Sequence, residues 1–136
     1  MQSKIFLAED AFLAFLDRAD IKHLHAGAFF RYFAQEHFFL YTNISIITST
    51  YQKISDTLSE SLAKDFVKAL NLSAVAILSP DDSEIKTALK VVAGTSGLSF
   101  QEALMLVMAE RRGISQVCTF ANLHQLFGIH AFYLPV

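Results

Sequence analysis

Residues 98–121, LSFQEALMLVMAERRGISQVCTFA, decide the fold. Ser99 and Glu102 stand three apart ahead of an apolar run, which is the spacing of a capping box. The helix they open is expected to reach Arg112. Gly113 suits the left-handed residue that closes a helix, and Arg111 and Arg112 place cations where the macrodipole is negative. Gln116 to Phe120 (QVCTF) then reads as a short buried strand.

The same alternation runs outward to both ends. Lys4 to Ala8 (KIFLA), Phe38 to Thr42 (FFLYT), Ala74 to Leu78 (AVAIL) and Ala131 to Leu134 (AFYL) read as the other strands. Helical spacing fills the intervals. One helix covers Ala11 to Leu16, and a second, capped by Asp20, runs to about His37. A third covers Ile44 to about Ile54, capped by Asn43, and a fourth Leu58 to Leu70. A fifth opens at Ser79-Pro80-Asp81-Asp82, with Ser79 as cap and Pro80 in the first turn. A short helix is expected over Ala121 to Phe127, with Asn122 as its cap. Strands separated by helices are parallel and joined by right-handed crossovers. The expected fold is therefore a three-layer α/β/α sandwich around a five-stranded parallel sheet, as one domain over residues 1–136. In such sheets ligands sit at the carboxyl ends of the strands, where strand order reverses. That locus is Ala8-Glu9-Asp10 and Ala121-Asn122.

Composition narrows the function. The chain has 136 residues, 53% apolar and 18% charged, enough for a large core and too apolar for disorder. Its formal charge of −2 gives no broad positive field, so strong non-specific DNA or RNA binding is not expected. No apolar run reaches a membrane span, and Glu9, Asp10, Asp17 and Arg18 interrupt the first apolar stretch, which makes it a poor signal peptide. The lone Cys118 fits a reducing compartment, and a cytoplasmic location is expected.

Four stretches together resemble the PIN domain family: Phe6 to Asp10 with Ala11-Phe12-Leu13 behind it, Thr42 to Ser49, Leu98 to Leu104, and Val117 to Ala121. The resemblance covers the whole chain and implies the sheet order 3-2-1-4-5. The family consists mostly of metal-dependent ribonucleases, including toxins of toxin–antitoxin pairs. Their chemistry gathers carboxylates around Mg²⁺ or Mn²⁺, which activates water and neutralises phosphate charge. Carried over position by position, the acid ending the first strand falls on Ala8. The acid of the third helix falls on or near Ser49, and that following the fourth strand on Ala121. The acid beyond the capping box falls on Glu102, the one carboxylate retained.

Glu102 has two readings, a cap for Ser99 or a metal or catalytic ligand. Glu9 and Asp10 also have two: acids favourable at a helix start, or replacements for the lost ligands, Asp10 being the better placed. Asn122 and Ser49 are neutral oxygen donors. His124 is close enough to the cleft to meet a phosphate, whereas His23, His25, His37 and His130 form no metal signature. Cys118 reads as a small buried hydrophobe. The aromatic second helix, with Phe29, Phe30, Tyr32 and Phe33, offers core packing or a subunit contact. Lys64 with Lys68, and Lys86 with Lys90, read as solvated faces.

Three functions follow. The first is a degenerate PIN-like binding or regulatory module with no bound cofactor. The second is a residual Mg²⁺- or Mn²⁺-dependent endoribonuclease using Glu102, Asp10 and Glu9. The third is a response-regulator receiver, disfavoured by two helices between the first strands and by the missing lysine after the fifth. The resemblance further implies a homodimer, with an antitoxin-like protein or RNA as partner.

Overall fold

The computed structural model describes residues 3–135. Strand β1, Lys4–Leu7, is the middle of the molecule: Ile5, Phe6 and Leu7 are wholly buried. A strand apolar on both faces needs cover on both, and this one pairs in parallel with β2 (Phe39–Asn43) and with β4 (Gln116–Cys118). In register, Phe6 faces Tyr41 on one side and Val117 on the other. Strands β3 (Ala76–Leu78) and β5 (His130–Ala131) close the two edges, both parallel. The order is β3-β2-β1-β4-β5, as expected.

Helices α1 (Glu9–Leu16) and α2 (His23–Gln35) join β1 to β2, and α3 (Ile44–Thr57) and α4 (Glu60–Leu72) join β2 to β3. Helices α5 (Asp82–Gly94) and α6 (Phe100–Arg111) carry the chain back to β4. Crossovers running in opposite directions lie on opposite faces when both are right-handed. The packing follows that rule: α1 touches α2 and α3, α3 touches α4, and α5 packs on α6. The result is an α/β/α sandwich. Two helices between β1 and β2 also separate it from a receiver.

Local chemistry explains the boundaries. The Asn43 side chain accepts from the Ile46 N–H at 2.8 Å and starts α3 directly from β2. Gly113, with φ of 69°, ends the last turn after α6. Residues Ala103 to Ala109 of α6 are all buried, so this helix is core on every side.

Several boundaries differ from the sequence reading. Helix α1 begins at Glu9, directly after the extended Ala8, rather than at Ala11. The Asp20 side chain accepts the Lys22 N–H, in a turn, and α2 begins at His23 without a side-chain cap. Asp81, not Ser79, caps α5, in a complete box with Glu84. The Ala121–Phe127 segment is irregular, so Asn122 caps nothing.

Phe29 and Phe33 face the core as expected, and pack on Phe132 at 5.7 and 5.1 Å between ring centroids. Phe30 points away toward Phe12 and Phe15, at 6.0 and 4.9 Å. These rings form one wall of an apolar groove of about 350 Å³ between α1, α2 and α4, with Phe66 and Leu70 opposite. Lys64 and Lys86 lie on exposed helix faces, paired with Glu60 and Asp82 one turn earlier. Among the described residues, no helix is long and apolar enough to cross a membrane.

Candidate functional site

Order reverses between β1 and β4, and the cleft opens at their carboxyl ends. It measures about 170 Å³ and is lined by Ala8, Glu9, Asp10, Ser99, Gln101, Glu102, Met105, Thr119, Ala121, Asn122 and Leu123. Glu9, Asp10 and Glu102 therefore share one cleft, although 92 residues of chain separate Asp10 from Glu102.

Asp10 faces the exit of β4. Its Oδ2 accepts the N–H of Phe120 at 2.7 Å, the N–H of Ala121 at 3.1 Å and the Thr119 hydroxyl at 2.8 Å. The same hydroxyl lies 3.0 Å from Oδ1. These bonds fix the turn after β4 and leave the carboxylate little free acceptor capacity on the oxygen nearest the turn.

Glu9 points to the α3 side. Its carboxylate pairs with the Lys53 ammonium, and Gln101 donates to its Oε2 at 3.4 Å. Burial pushes the Glu9 pKa up, but the Lys53 ammonium and the Ser49 and Gln101 side chains outweigh it and hold the group below its ordinary value. Ser49 lies outside the cleft lining.

Glu102 shows only half of the expected box. Its N–H is capped by the Ser99 hydroxyl at 3.0 Å. Its carboxylate turns the other way, accepting the His124 N–H at 3.1 Å and meeting His124 Nδ1 at 2.7 Å. An ionised carboxylate only accepts, so that contact puts the imidazole proton on Nδ1. His124 stands at the rim, and Asn122 lines the cleft without a bond to any of the acids.

The thiol of Cys118 is buried, and burial first, then the charge of Asp10, pushes its pKa up to about 12. It is a packed side chain, not a nucleophile.

The residues that sequence reasoning missed are the partners of the acids. Lys53 lies four residues beyond Ser49, one turn along the same face of α3, and that spacing was its only local signal. Gln101 adjoins Glu102, and Thr119 directly follows β4.

A hard dication would need several carboxylate oxygens directed at one point. Here Asp10 is turned to backbone N–H groups, Glu9 to Lys53 and Glu102 to His124. Among the described residues no group of three or more His, Cys, Asp or Glu side chains is arranged to hold a metal ion. In this arrangement the donor set does not fit Mg²⁺ or Mn²⁺.

A parallel sheet in the order 3-2-1-4-5, helices on both faces and acids at the β1–β4 switch point define a PIN-like fold. Among solved structures, the chain is similar to VapC20 of Mycobacterium tuberculosis, a sarcin-ricin loop cleaving toxin. The TM-score is 0.76 at 19% identity, covering 90% of this chain and 92% of that one. At that identity the likeness shows the fold. No protein-family model and no curated protein sequence matches the chain.

Proposed function

We propose that this chain is a PIN-like binding or regulatory module, derived from a toxin–antitoxin ribonuclease, that has lost metal-dependent cleavage. The observation that carries the reading is the presence of Ala8 and Ala121 in the lining of the cleft. In the family these positions hold carboxylates, and a methyl group has no donor atom for a cation or a water.

Electrostatics supports the same reading. Without a bound dication, three carboxylates line the cleft and only that of Glu9 is paired with an ammonium, so the cleft is net negative toward an RNA phosphate. A binding role would then use another surface. The groove between α1, α2 and α4 is apolar and large enough to receive side chains of a partner protein. An antitoxin-like protein or a second copy of the chain is the proposed occupant, in a reducing, cytoplasmic setting.

One observation favours a second reading, a residual Mg²⁺- or Mn²⁺-dependent endoribonuclease. Glu9, Asp10 and Glu102 do line one cleft, and substrate phosphates can complete a metal shell.

An assay on structured and single-stranded RNA separates the two. Pure protein with Mg²⁺ or Mn²⁺ is compared with an EDTA control and with Glu102→Gln. The proposal expects no cleavage above the EDTA control. Cleavage that needs metal and is lost in Glu102→Gln establishes the second reading and overturns the first.

A further inference from the structure

We infer that Lys53 is a built-in cation that takes the place of a dication beside Glu9 and keeps the cleft closed to metal. The inference deepens the reading above, and it rests on that reading only for the view that the cleft descends from a metal site.

Placement comes first. Lys53 projects from α3 one turn beyond Ser49, on the same helix face, so the helix that delivers an acid in the family here delivers an ammonium. The pairing is specific. The Glu9 side chain is only 12% exposed, while the Lys53 side chain remains 56% exposed and reaches in from solvent. A carboxylate this enclosed needs a counter-charge, and the structure supplies one from its own chain. Gln101, from the first turn of α6, donates to the other Glu9 oxygen. Helices from the two faces of the sheet thus converge on Glu9, and both oxygens have partners.

The other two acids are held independently. Asp10 serves the turn after β4, and Glu102 holds His124. Neither can swing to a common point without abandoning half-buried N–H groups, which is costly. Of the three, Glu9 is the only one whose main partner is a flexible, solvent-exposed side chain. Removing Lys53 is therefore the substitution that returns a carboxylate to the cleft.

The test reads the ion and not cleavage. Mn²⁺ is titrated into the full chain, and its free fraction is followed by electron paramagnetic resonance, for wild type, Lys53→Gln and Lys53→Gln/Ala8→Asp. Circular dichroism confirms that each variant is folded. Wild type is expected to show no saturable binding below about 1 mM Mn²⁺. Lys53→Gln is expected to bind more tightly than wild type, and the double variant, which adds a second free carboxylate, at least about tenfold more tightly than wild type. The single variant keeps the test decisive if aspartate at the buried position 8 prevents folding. Saturable one-to-one binding by wild type at micromolar Mn²⁺ overturns the inference. So does a folded Lys53→Gln that binds no better than wild type. Cleavage of RNA by a wild type that binds no Mn²⁺ would overturn the proposed function and leave this inference standing.

Discussion

Asp10 and Glu9 are adjacent in sequence, both in the first turn of α1, and they do different work. Asp10 ties α1 to the turn after β4 through two backbone N–H groups and one hydroxyl. Hydrogen bonds to an ionised group are worth about 1.5–3 kcal/mol each when broken. Asp10→Asn keeps the shape and loses the charge, and is expected to lower stability by about 2 kcal/mol in urea denaturation. A loss below about 0.5 kcal/mol would mean that the turn is held by something else. Glu9 gives a pH signature. Its pKa in the folded chain lies below the ordinary value of 4.5, so folding favours its ionised form. The resulting stabilisation is full above the unfolded value and is lost as the pH falls through the lower folded value. Wild type should therefore exceed Glu9→Gln in urea midpoint at pH 7, with the gap closing below pH of about 4. A gap unchanged across that range would show that the Lys53 pair contributes nothing to the difference.

Helix ends show how far local chemistry carries. The Asn43 cap of α3 was legible because an asparagine between a strand and an apolar-periodic run has few other roles. Asn43→Ala is expected to cost about 1 kcal/mol in urea denaturation, within the usual range of about 0.5–2. The Ser99–Glu102 box was legible only in part. Ser99 does cap Glu102, but a tertiary partner, His124, takes the carboxylate that the local rule assigns to Ser99. The same contacts explain why Ala121 to Phe127 is not a helix, despite helical spacing. The N–H groups of Ala121 and His124 bond to Asp10 and Glu102, which hold the chain across the cleft. At α5, Asp81 outcompetes Ser79 because only Asp81 has a glutamate, Glu84, three residues on to complete its box. Lys53 was invisible for a related reason. Its partner lies 44 residues away, and only the folded α1–α3 contact brings the two together.

At the scale of the whole molecule, the sheet order was the most legible property. Five short apolar runs with helices between most of them leave few right-handed parallel arrangements, and the resemblance to the PIN family picked out the observed one, β3-β2-β1-β4-β5. That order places the carboxyl ends of β1 and β4 side by side, so the position of the cleft follows from topology. Its contents do not. Whether acids at a switch point converge on a cation or turn to their own neighbours depends on side chains from α3, α6 and the segment after β4. In this chain they turn to their neighbours, and the PIN-like fold surrounds a cleft whose acids are held by their own side-chain and backbone partners. The most direct measurement is a crystal structure from protein grown in Mn²⁺, with anomalous scattering recorded at the manganese edge. The account predicts Lys53 on Glu9, His124 on Glu102, and no anomalous peak in the cleft. A peak with Glu9, Asp10 and Glu102 oxygens at about 2.0–2.2 Å would contradict it.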